Sequence, residues 1–279
     1  MVFQALIAAL CFASVRIIDK IVLSVKKVDY KIAAPLMLAF LAFFLIAFSP
    51  FLSGIKSADF NLNIILLFAG LAVTGFFHNI FYHRGLQEDD VSQGEPFLMF
   101  SFFFTVLFIA LIFPDERNPA ILFPALIASI ALLGSKIEKR HLELSSGDKL
   151  LLATAFFVGI EAVFVKMLLA SLQAFDVYLI RVILISVILL AYLKPKLDSV
   201  DRQSIGLMAL SSFAAAIGGI LMYSSYALFG VLFTTLILMV RPIFVYFFDF
   251  IYLKEKIRPK NIAAALIIVL SIAWALLAV

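Results

Sequence analysis

The sequence predicts an all-α polytopic membrane protein, with ten transmembrane helices arranged as two inverted five-helix repeats. Three observations carry that expectation. Hydrophobic residues make up 65% of the 279 and charged residues 14%, with a mean hydropathy of +1.14, against roughly 45–50% apolar content in soluble domains. The apolar residues fall in runs of about 18–25, the length that crosses a hydrocarbon core of about 30 Å as a helix. Lys and Arg collect in alternate connections between those runs.

Charge, Pro and Gly bound the runs at Val2–Val25, Ile32–Ser49, Leu62–Tyr82, Val91–Phe113, Pro119–Ser135, Asp148–Ser171, Phe175–Leu193, Ser204–Leu228, Val231–Leu253 and Asn261–Val279. A lipid-exposed span must satisfy its own backbone hydrogen bonds, and runs this long do so as helices, not as barrel strands of about 10 alternating residues. The first span lacks a basic leader and a small-residue cleavage site and carries Arg16, Asp19 and Lys20, so it reads as a retained helix. The one cysteine, Cys11, lies inside it, which leaves no disulfide framework or cysteine metal site. Lys136–Lys149 is the longest polar connection. It divides the chain into a first repeat over 1–135, a loop over 136–147 and a second repeat over 148–279.

The charge pattern tests that division. The connections following spans one, three, five, seven and nine hold fifteen Lys or Arg residues; the other four hold only Lys56 and Arg117. The positive-inside rule puts the fifteen in the cytoplasm and both termini outside. The same bias makes nucleic acid an unsuitable partner, because the net charge of +4 is spread over short loops. It follows odd helices in the first half and even ones in the second, so two repeats would insert in opposite orientations. Leu6–Lys20 aligns without gaps to Leu152–Lys166, pairing the two lysines; "FYHRGLQ" at Phe81 matches "YSSYALF" at Tyr223, and "DERNP" before span five matches "EKIRP" before span ten.

On these residues the chain resembles the drug/metabolite transporter superfamily, in its EamA-like ten-helix branch. The resemblance rests on Lys20 and Lys166 ending the first helix of each half, Arg181 in a second helix, and Ala227-Leu228 and Gly85-Leu86 closing third helices. It also rests on Pro242 standing 13 residues before Glu255. The first half departs from the pattern, with Ala39 at the Arg position, Phe102 near the Pro position and Pro96 early. The resemblance implies a substrate cavity lined by the first, third and fourth helices of each half.

Ionisable groups at a helix centre cost about 2.5–3.5 kcal/mol on insertion scales, so each needs a partner, a cavity or a function. Glu161 and Arg241 sit closest to mid-span, either as a structural pair gluing two helices together or as groups lining a pocket where the halves meet. Arg16, Asp19 and Lys20 share one helix face. Arg16 is too deep to reach headgroups, whereas Lys20 and Lys166 read as snorkelling side chains. Arg181 and Asp249 are intermediate in depth and rank below Glu161 and Arg241. His78, followed by Asn79, is deep and titrates near neutral pH, or it is a hydrogen-bonded packing residue. Glu95 precedes Pro96 in a first helical turn, where a carboxylate suits the dipole. Gly218 and Gly219 allow close helix approach, and Tyr223 offers a hydroxyl to a solute or belongs to an interfacial belt.

The candidate substrate-binding residues are therefore Glu161, Arg241, Arg16, His78, Asn79 and Tyr223, with Glu161, Glu95 and Asp249 as candidates for proton or ion coupling. No metal or cofactor is expected. The expected partners are the lipid bilayer and a small-molecule solute, and the expected place is the cell membrane. The leading reading is a secondary transporter working by alternating access. The competitors are an intramembrane enzyme, for which HExxH, GxSxG and GxGxxG are all missing from the sequence, and a nonenzymatic membrane subunit.

Overall fold

A computed structural model describes residues 2–54, 60–88, 95–134, 145–196, 200–248 and 259–278. The described residues form helices without strands: α1 Val2–Lys20, α2 Tyr30–Leu52, α3 Leu62–Glu88, α4 Glu95–Ile112, α5 Pro119–Gly134, α6 Ser146–Leu169, α7 Ala174–Leu193, α8 Arg202–Phe229, α9 Val231–Leu238, α10 Arg241–Phe248 and α11 Pro259–Ala278. Five of them, α2, α3, α6, α7 and α8, are long and apolar enough to cross a membrane. The chain is an all-α polytopic protein.

One expected span is broken. Val231–Leu253 begins as two short helices parted at Met239–Val240. The cause is Pro242, which has no N–H to donate and whose ring clashes with the carbonyl four residues back, that of Leu238. The turn tightens to compensate, with Val240 N donating to Ile237 O at 3.1 Å and Met239 N shared between Thr235 O and Leu236 O. α1 ends in a π-turn over Ile21–Val25, after which Lys27 takes a left-handed φ of 54°.

Helix starts carry side-chain caps where the sequence supplies them. Ser145 and Asp148 form a reciprocal capping box on α6. The third helix of each half is capped by a short polar residue: Asn61 accepts from Ile64 N at 3.0 Å on α3, and Asp201 accepts from Ser204 N on α8. The Ser204 hydroxyl also donates to Asp201, and these bonds, with Lys26 nearby, hold the Asp201 carboxyl below the ordinary carboxylate range.

Packing follows an exchange between the halves. α1 packs on α8 and α3 on α6; α1 meets α9 and α10 while α6 meets α4; α2 lies against α7 and α5 against α11. Gly218 admits the backbone of α1, since a Cβ there would stand 3.0 Å from Cys11 Cβ, and Gly219 makes room for the Tyr178 ring. Outer faces are apolar and exposed. On α11, Leu266, Leu270 and Leu277 are exposed while Ala264, Ile268 and Ala275 are buried, a helical alternation that suits lipid on one side and protein on the other.

Candidate functional site

The helices enclose a central cavity of ≈ 290 Å³. α1, α2, α3, α4, α6, α7, α8, α9 and α10 all contribute to its wall, so both halves build it. Most of the lining is apolar, and the polar groups fall into three clusters.

The first cluster lies where α3, α6 and α7 meet. The Glu161 carboxylate on α6 receives His78 Nδ1 from α3 on Oε1 at 2.8 Å. On Oε2 it receives Arg181 from α7, Nε at 3.0 Å together with Nη2. Glu161 and Arg181 are buried, with side chains 7% and 11% exposed, while His78 is 23% exposed and lines the cavity. One of the two sequence readings paired Glu161 with Arg241, and the other set both along a pocket. The structure instead gives Glu161 the arginine ranked below it, a charge-assisted contact from the neighbouring helix.

The second cluster joins α1, α3 and α8. Asp19 accepts from Ser211 Oγ at 2.5 Å and from the Tyr82 hydroxyl at 3.0 Å. The Arg16 guanidinium lies over the Tyr82 ring, 5.7 Å from its centroid. A ring face attracts a cation through its quadrupole. In the third, Arg241 opens α10 immediately after the helix break, 5.3 Å from the centroid of the Phe102 ring on α4. Two arginines thus reach the cavity wall from opposite halves, each set against an aromatic ring of the first half.

Four of the expected binding residues, Arg16, His78, Asn79 and Arg241, line the cavity. Asn79 spends its amide on Gly75 O at 2.7 Å. Glu161 stands behind His78 and Arg181, and Tyr223 stands behind Tyr178, ring against ring at 4.8 Å. Glu95 is the first residue of α4, but its side chain, like Asp249 and Glu255, lies outside the described residues. Sequence reasoning left Asp19, Arg181, Tyr82, Tyr178 and Ser211 out of the site. Arg181 had left a signal: Glu161 lies eight residues before the end of α6 and Arg181 seven after the start of α7. Across so short a turn, equal distances place two residues at equal depth.

Lys166 also differs from expectation. It does not snorkel; it pairs with Glu116 at 2.7 Å and Asp115 at 3.1 Å. Buried Glu116 in turn accepts from the backbone of α9, Val231 N at 3.0 Å and Leu232 N at 3.1 Å. Those are orphan donors of a helix start, where a carboxylate is favoured. Gly230 makes the approach possible: its φ is +82°, and a Cβ there would stand 2.7 Å from the carboxylate. One side chain therefore ties α6 to α9.

Exposed apolar flanks around a central, arginine-bearing cavity define a multi-pass membrane protein. Residues 145–277 match the EamA-like transporter family, which belongs to the drug/metabolite transporter superfamily. The match covers the second half of the chain, and the family it is similar to is one of membrane transporters. No curated protein matches the sequence. A protein of known crystal structure is similar over 98% of both chains with a TM-score of 0.68 and 14% identity, a likeness of fold.

Proposed function

We propose that the chain is a secondary transporter in which the central cavity holds a small solute bearing a carboxylate or phosphate and is opened to the two sides of the membrane in turn. The observation that carries this reading is the approach of Arg16 and Arg241 to one cavity from opposite halves. A planar guanidinium offers paired donors that match two oxygens of an anion. The exchanged helix packing supports a division into repeats at 1–135 and 148–279, and rocking one repeat against the other is the motion such architectures use. The fifteen basic residues on alternate connections support a cytoplasmic central loop and outward termini in the cell membrane.

Purified protein in liposomes tests the transport reading. Uptake of radiolabelled solutes from a panel of amino acids, organic acids and sugar phosphates is expected to saturate for at least one anion. Arg241→Lys keeps the charge but removes the two-oxygen geometry, so it should weaken that solute's half-saturation about tenfold or more. A panel without saturable flux would overturn the reading, and unchanged affinity in Arg241→Lys would remove Arg241 from the site. For orientation, a cysteine introduced at position 139 in a Cys11-free variant should resist impermeant label in intact cells.

A further inference from the structure

We infer that the cavity carries a proton-binding site at His78, and that the proton it takes accompanies the anion. The inference rests on the transporter reading above and deepens it by assigning the coupling ion and the atom that holds it.

The geometry selects His78 among the ionisable groups of the cavity. A coupling group must reach water, exchange a proton near neutral pH, and leave its neighbours satisfied when the proton is gone. Glu161 is unsuited to take the proton, because both oxygens already accept, one from His78 and one from Arg181, and a proton on either would displace a donor. An arginine does not titrate in this range. Asp19 is more buried than His78 and is engaged with Ser211 and Tyr82. His83, one turn further along α3, is 5% exposed and holds Asn79 O through Nδ1 at 2.8 Å, the arrangement of a packing histidine.

His78 lines the cavity, and its bond to Glu161 leaves one ring nitrogen for an exchangeable proton. A carboxylate only accepts, so Nδ1 must be the donor to Glu161, and the proton that comes and goes is therefore the one on Nε2. When Nε2 loses it, the Nδ1–H bond remains and Arg181 still balances Glu161. No buried charge is stranded by either state.

The groups facing His78 set the sign of the coupling. On its own helix are Tyr82 and His83; Glu161 faces it from α6, Arg181 and Tyr178 from α7, Arg16 and Asp19 from α1, Tyr226 from α8 and Arg241 from α10. The described walls from α2 and α4 add Met37, Leu38, Leu41, Leu98, Ser101, Phe102 and Thr105, none of which titrates. A proton on His78 thus adds positive charge to a wall that already presents arginines, and an anion bound there favours that proton in return. Reciprocity makes the two effects equal. Proton and anion travel in the same direction.

Two measurements test this. Protein labelled with ¹⁵N-histidine has three imidazoles, from His78, His83 and His141, and the signal lost in His78→Gln belongs to His78. That signal is expected to change with pH between about pH 5.5 and 8.5 as the proton comes and goes on Nε2. A His78 signal fixed across the range overturns the inference without touching the transport reading. In proteoliposomes, an acid-outside gradient should raise initial uptake of the panel's transported anion several-fold over no gradient, and in His78→Gln that ratio should fall to one. A wild-type ratio in the variant overturns the inference. If no panel solute moves, the transport reading fails, while the titration still decides whether His78 binds the proton.

Discussion

The two halves of the chain place a proline in corresponding helices at different heights. In the first, Pro96 stands at the second residue of α4, where its missing N–H costs nothing, and the helix runs unbroken to Ile112. In the second, Pro242 falls inside the span and parts α9 from α10. The unbroken helix lends the cavity Ser101, Phe102 and Thr105, all neutral; the broken one delivers Arg241. The halves also differ at the mid-span charges. Under the gapless match of Leu6–Lys20 to Leu152–Lys166, Glu161 corresponds to Val15, and Ala39 stands where the second half has Arg181. Acid and base are present together in one half and missing together in the other. A scaffold with exchange-related packing can therefore hold an asymmetric site, provided each buried charge comes with its partner.

The largest expected effect follows from that pairing. Arg181→Ala leaves buried Glu161 without its cation and should destabilise the protein by about 3–5 kcal/mol. Glu161→Val combined with Arg181→Ala gives the second half the residues of the first and should recover most of that loss. Thermal unfolding in detergent micelles reads both; a double variant as unstable as the single would break the comparison.

Next is the tie between α6 and α9. Glu116→Ala strands the buried Val231 and Leu232 N–H groups and should cost about 1–3 kcal/mol. Lys166→Met should cost less, since the carboxylate keeps its backbone donors and the lysine is partly exposed. Equal losses would show that the charge pair, not the helix start, carries the interaction.

Pro242→Ala removes the steric bar between α9 and α10. If the proline alone separates them, amide exchange at Arg241 should slow about tenfold, one hydrogen bond's worth. Unchanged exchange would assign the break to the packing around Met239.

The smallest effect separates two matching caps. Asp201 is held below its ordinary value, so its contribution is complete above the unfolded carboxylate range and is lost as pH falls through the folded value. Asn61 does not titrate. Asp201→Asn should therefore flatten the acid limb of a melting-temperature profile between pH 3 and 6, and a limb that stays as steep would exclude Asp201 as its source.

The all-α polytopic fold was legible in the sequence because hydropathy marks the apolar helices and the ionisable residues that interrupt them. Glu161, Arg241, Arg16 and His78 all emerged that way. Which helix faces which was less legible, because it depends on lateral packing. Arg241 was matched to Glu161 by depth alone, and the choice of Arg181 came from α7 following α6 through a short turn. Lys166 shows the same limit: its position near a span end fits snorkelling, and only the folded chain brings Glu116 to it. Pro242 was visible as a residue, yet its break matters because of where it aims the next side chain.

In mechanical terms α9 is a short rigid link. Its eight residues give a length of about 12 Å. One end is pinned to α6 by Glu116, and the other stops at a joint that carries Arg241. Glu116 is thus the point where α6 bears on the link, and Arg241 follows directly at its far joint. α4, which packs against α9, has no joint between Glu95 and Ile112, so Ser101, Phe102 and Thr105 sit on one continuous helix. The two elements thus differ in continuity: one is jointed beside its guanidinium, the other is a single unbroken helix face.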